Sequence, residues 1–136
     1  TGKTKDVVSP EFKGAGHMLR LLKPHYDENG LPVTKSLTDI FAKVTLLMRE
    51  GKIVSCYTPG MGGIAEAVLK MAIGNSIGFK FGENISLDEI FAYAYGSFVL
   101  ELTKYILFKN ISLIVVTSNK HKELEKLNKE LTELNK

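Results

Sequence analysis

Apolar residues recur along this chain at two spacings, and the switching between them predicts the order of elements. Leu37, Ile40, Phe41, Val44, Leu47 and Met48 fall three or four apart, the single apolar face of an amphipathic helix. Ser36 stands at the expected N-cap, with Asp39 placed as in a capping box, and Gly51 follows Arg49 as a stop signal. A second helix is predicted from Gly63 or Ile64 to Ile73. It is apolar on most sides, with Glu66 and Lys70 marking its solvent edge, and it should therefore be buried. Ser86-Leu87-Asp88-Glu89 reads as another capping box, opening a short helix to about Ala94, with Gly96 beyond it. Short β-prone runs lie between these helices: His17 to Leu22, Ile53 to Tyr57, Ile77 to Phe81, Ser97 to Thr103 and Ile111 to Thr117. In the fourth run Phe98, Leu100 and Leu102 share one face. The first sixteen residues are polar and glycine-containing, and read as a lead-in with little structure of its own. Helices alternating with short strands predict an α/β (α+β) fold, a layered sandwich whose helices cover a mixed sheet.

After Ser118 the pattern changes. Leu124, Leu127, Leu131 and Leu134 repeat at spacings of three and four among alternating lysines and glutamates. This predicts an amphipathic helix with a narrow leucine seam, too short for a coiled coil on pattern alone. The chain thus divides into a domain over 1–118 and a C-terminal helix over 119–136. Packing on the domain is the expected use of the seam, and a homodimer contact is the alternative.

Composition narrows the class. The 136 residues are 44% hydrophobic and 24% charged, the balance of a globular domain rather than a disordered chain. A formal net charge of +3 argues for neither nucleic acid nor an anionic membrane surface as partner. No apolar run approaches the length of a membrane-spanning helix. The lone Cys56 cannot form an internal disulfide, which predicts a reducing, cytoplasmic setting. Thr1 to Asp6 has no apolar leader and no initiator Met, so a piece of a longer protein is expected.

Only one segment carries a chemical argument, Tyr57-Thr58-Pro59-Gly60-Met61-Gly62-Gly63-Ile64. It joins a strand to the buried helix, where glycines admit a close backbone approach and the first helical amides lack internal partners. Gly60, Gly62, Gly63 and Ile64 are accordingly candidate phosphate- or nucleotide-binding residues. The competing reading is a tight turn whose glycines only relieve strain. The segment has neither the Gly-Lys-Ser/Thr of a P-loop nor a dinucleotide fingerprint. Elsewhere His17, His25 and His121 show no metal-ligand spacing, and solvated or core roles are expected for them. Cys56 lies within an apolar strand and should be inert. Asp88 and Glu89 are explained as first-turn charges; Tyr93 and Tyr95 flank a helix end, where core packing is expected and a pocket lining is the alternative. No catalytic residue and no metal site is identified.

The run Ile53 to Ala72 resembles the central segment of the C-terminal domain of AIR synthase-like proteins, where a strand leads through an Asp-Gly-Gly-Leu type turn into an Ala-rich helix ending in Met-Ala. Ser9 to His17 and Tyr95 to Leu102 resemble flanking segments of that domain in the phosphoribosylformylglycinamidine synthase family, and the likeness covers roughly Asp6 to Thr117. The resemblance implies one domain of an ATP- and glutamine-dependent ligase of purine biosynthesis, which converts formylglycinamide ribonucleotide to the amidine. ATP and Mg²⁺ would be bound mostly by a neighbouring AIR synthase-like N-terminal domain, and ammonia would come from a glutaminase domain. Alone, this chain should be inactive. Met61 and Thr58 stand where the family commonly has acids, so only the backbone role of Gly62 and Gly63 carries over. Another ATP-dependent member of the superfamily, such as a hydrogenase-maturation or selenophosphate enzyme, and a structural or dimerisation module are the alternatives.

Overall fold

The computed structural model describes residues 2–82, 85–103, 112–118 and 128–134. A 3-10 turn at Thr4–Asp6 precedes the regular elements. These are β1 (Met18–Leu22), α1 (Thr34–Arg49), β2 (Ile53–Tyr57), α2 (Gly63–Ile73), β3 (Gly78–Phe81), α3 (Leu87–Phe91), β4 (Phe98–Leu102) and β5 (Ser112–Ser118). The order is the one the sequence pattern predicts. The strands form a single 5-stranded sheet in the order β2-β4-β1-β5-β3. Each neighbouring pair is antiparallel, so the expected mixed sheet is corrected to an antiparallel one. Consecutive strands in sequence are not neighbours here: β2 reaches β1 only through β4, and that interleaving reverses the directions.

Alternation along β4 separates two cores, because successive side chains leave a strand on opposite faces. Val99 joins Leu19 of β1 beneath α2, against Ile64, Ala67, Val68 and Met71. Leu100 and Leu102 join Leu22 and Ile53 beneath α1, against Ile40, Val44 and Leu47. The sheet is therefore covered on both faces, by α1 on one and by α2 on the other. The α+β sandwich expected from the element order is what the chain forms.

Three local expectations change. The lead-in is not idle: Phe12 is wholly buried in the α2-side core, its N–H donates to Met71 O at 2.9 Å, and Asn75 Nδ2 donates to its carbonyl at 2.8 Å. Ser36 is not the N-cap of α1. Val33 takes that place without a side-chain cap, since Leu37 N–H already bonds to Val33 O at 3.0 Å and puts Ser36 inside the first turn. The Ser36 hydroxyl instead accepts from His25 N–H at 2.8 Å, and Asp39 pairs with Lys35 at 3.0 Å. α3 stops at Phe91 because Ala92 turns extended.

Other signals are realised as read. Gly51 has φ +70 just past the end of α1, and the full capping box of Ser86 and Glu89 opens α3. Residues 128–134 are helical, and there Leu131 and Leu134 are 56% and 80% exposed, so the expected packing on the domain is not seen at these two leucines. Leu124, Leu127 and His121 lie outside the described residues. Among the described residues, no helix is long and apolar enough to cross a membrane.

Candidate functional site

The glycine turn sits where β2 ends and α2 begins, and its geometry follows from what crowds it. Gly63, the first residue of α2, has φ +64, a conformation costly for any side chain with a Cβ. A Cβ there would lie 2.5 Å from the Ala92 carbonyl oxygen and 2.9 Å from that of Ile90. The end of α3 thus packs directly on the start of α2. At Gly62 a Cβ would come within 2.5 Å of the Glu66 Cβ, whereas Gly60 has ordinary space. Ile64 is buried at 2% exposure, part of the α2-side core.

Two amides of this turn are engaged from within. Gly63 N–H donates to Gly60 O at 3.1 Å. Gly62 N–H donates to the Glu66 carboxylate, Oε2, at 2.7 Å, and Lys70 Nζ donates to Glu66 Oε1 at 2.6 Å. Lys70 also lies 5.7 Å from the centre of the Tyr57 ring. The Lys70 ammonium, and after it the Gly62 N–H, hold the Glu66 carboxyl below the usual carboxylate range. Glu66 in turn is the first cause that raises Lys70. A carboxylate of the protein itself thus occupies the Gly62 donor that an anionic ligand would use. A phosphate at the Gly62 amide would have to displace the Glu66 carboxylate.

A second polar constellation was not legible in the sequence. Glu101, in the middle of an apolar strand, is 0% exposed. Its Oε1 accepts from His17 Nδ1 at 2.7 Å and from the Gly14 N–H at 3.1 Å. Its Oε2 accepts from the Ser55 hydroxyl at 2.5 Å and from Lys13 N–H at 2.9 Å. This carboxylate ties β2, β4 and the lead-in together at the edge of the α2-side core. The signal for it was a polar residue, Glu101, opposite another, Ser55, in the run that places Val99 inward.

The remaining candidates separate cleanly. His17 belongs to the Glu101 cluster, while His25 is exposed in the loop before α1. Burial pushes the Cys56 thiol up to about 12, which suits an inert side chain. Tyr93 and Tyr95 are not core residues. They are 63% and 49% exposed and stack on each other with ring centres 5.6 Å apart, because α3 ends before them and leaves them beyond the packed face. Among the described residues, no group of three or more His, Cys, Asp or Glu side chains is placed to hold a metal ion.

No protein-family profile and no curated protein matches the chain. Solved structures do. T. maritima PurL complexed with AMPPCP superposes with a TM-score of 0.66 at 9% identity, over 86% of this chain and 24% of that one. The structure of a HypE–HypF complex gives 0.61 at 14% identity, over 83% of this chain and 50% of that one. E. coli HypE, a hydrogenase maturation protein, gives 0.60 at 14% identity, over 84% and 47%. The chain spans about a quarter of the PurL chain and about half of the HypE chains. At these identities the likeness is one of architecture, and the chain has the AIR synthase-like α+β fold found in PurL and HypE.

Proposed function

We propose that this chain is an AIR synthase-like C-terminal domain acting as a packing domain within a larger ATP-dependent enzyme. The fold likeness to PurL over 86% of the chain carries the reading, and the occupied glycine turn supports a structural part for this domain. The specific reading is a formylglycinamidine ribonucleotide synthase, favoured by the residues Ser9 to His17 and Tyr95 to Leu102. In that enzyme ATP, with Mg²⁺, supplies the phosphoryl group that activates the amide, and glutamine supplies the nitrogen. In this reading most nucleotide and metal contacts fall to a neighbouring domain. What this chain contributes is rigidity: Gly63 locks α2 against α3, and Glu66 closes the turn that faces outward through Met61. Alone it should yield no glutamine-dependent product.

A hydrogenase-maturation enzyme is the second reading, favoured by the larger share of the HypE chains that superposes. Deleting the coding segment in the source organism separates the two. The first reading expects a purine requirement relieved by hypoxanthine. Loss of hydrogenase activity with normal growth in the absence of purines would transfer the domain to the second.

A further inference from the structure

Five large apolar or aromatic side chains stand out from the protein around the junction of α2 and α3. Met61 of the glycine turn is 74% exposed, Leu87 and Phe91 of α3 are 73% and 64% exposed, and Tyr93 and Tyr95 project just beyond that helix. The backbone brings them to one place. A Cβ on Gly63 would stand 3.1 Å from the Phe91 carbonyl carbon and 2.5 Å from the Ala92 oxygen, so Met61, two residues upstream, enters the junction beside the Phe91–Tyr93 stretch. Leu87 and Phe91 are four apart and share one side of α3. Tyr93 and Tyr95 stack at an interplanar angle of 12°.

The core has no use for these side chains. Ile90 and Ala94 are the buried residues of this stretch, and Leu87 and Phe91 are left outside. The stretch is nevertheless fixed. The Ser86–Glu89 capping box holds its start, Ser97 N–H donates to Ala94 O at 3.1 Å, and Tyr26 Oη donates to Tyr95 O at 2.7 Å. A fixed surface lowers the ordering cost of binding. Together the five leave on the order of 600 Å² of side chain in water, at the upper end of what a monomer exposes in one patch. None carries a charge, while Asp88 and the Glu66–Lys70 ion pair follow directly in sequence on α3 and α2. Met and aromatic residues at the centre with charges at the margin is the composition of a protein–protein contact.

We propose that this face is the contact of a homodimer, with a second copy of the chain as its occupant. The two copies would be related by a two-fold axis, so that the same five residues meet from both sides. An uncharged patch is self-complementary, since its own image covers it without opposing like charges. Burying it twice removes on the order of 1,200 Å² from water, above the roughly 1,000 Å² that a specific interface needs. The contact is separate from the leucine seam of residues 119–136 and does not depend on the proposed function.

The test is sedimentation equilibrium of the full chain from low to several hundred micromolar. The mass should rise with concentration from one chain to two and stop there. Isotope-filtered NOEs in a mixture of labelled and unlabelled chains should connect the Tyr93 and Tyr95 rings of one copy to Met61 or Phe91 of the other. Replacing both Phe91→Ser and Tyr93→Ser should weaken association about tenfold or more, with the circular dichroism spectrum unchanged because both side chains are exposed. Leu46→Ser, exposed on α1, should leave it unchanged, as should Leu131→Ser with Leu134→Ser. A mass of one chain throughout, a mass that climbs past two, or association that survives in the Phe91/Tyr93 variant would overturn the proposal. Association lost only in the Leu131/Leu134 variant would also overturn it, in favour of the leucine seam.

Discussion

Gly63 and Glu101 each stand for a different kind of local constraint. At Gly63 the positive φ and the approach of the Ala92 carbonyl act together, so even alanine must either strain the backbone or push α3 away. Gly63→Ala should destabilise the protein by about 2 kcal/mol or more, read as a lower urea midpoint at unchanged slope. Gly60→Ala, which has space, should be close to neutral and serves as the control. Glu101 works through satisfaction of buried polar groups. Replacing it with alanine removes the acceptor that the Ser55 hydroxyl and the Lys13 and Gly14 amides share, at a cost of about 3 kcal/mol. The specific readout is hydrogen exchange: the Lys13 and Gly14 amides should exchange faster in Glu101→Ala, beyond the change in the α1-side core.

Among the elements, helix termini are where sequence signals were most and least reliable. The capping box of α3 is present in full, with Glu89 N–H bonded to Ser86 Oγ at 3.2 Å and Ser86 N–H to Glu89 Oε2 at 3.1 Å. Ser86→Ala should cost about 1 kcal/mol. Its effect should be felt at Gly63, since α3 braces α2. The same logic failed at α1, because the helix begins at Thr34, with Leu37 N–H bonded to Val33 O, and this leaves Ser36 inside the first turn, where its hydroxyl accepts from His25 N–H. At α2 the terminus is closed by Glu66, and this has a pH signature. The folded carboxyl titrates below its ordinary value of 4.5, so its contribution is fully present above that value and is lost as pH falls through the lower, folded one. Wild-type stability should therefore fall more steeply than that of Glu66→Gln as the pH is taken below about 4.5, measured as thermal midpoints across the acid range.

Over the whole molecule, the two cores share β1 and β4, so neither helix layer can be lost without exposing a face of the same strands. Met71→Ala on one side and Val44→Ala on the other should both lower a single common transition. The first should cost about 2–5 kcal/mol, as for other buried Met deletions. Tyrosine fluorescence and circular dichroism should give coincident curves for each variant. Separate transitions would mean that the layers fold independently.

The sequence by itself determined the kinds and order of the elements, the apolar faces of α1 and α2, the stop at Gly51 and the inert Cys56. These depend on periodicity and on residues acting within a turn or two of themselves, which one-dimensional spacing records. It also marked the glycine turn, although not what fills it. Tertiary structure alone decided the pairing of strands, and hence the antiparallel sheet, because β2, β4 and β1 meet only after long excursions of the chain. It decided that Glu101 is buried, since a strand covered on both faces has no outward side to which a charge can turn. It drew Phe12 from an apparently idle lead-in into the core. In each of these the partner is remote in sequence or chosen by packing, and no local pattern encodes it.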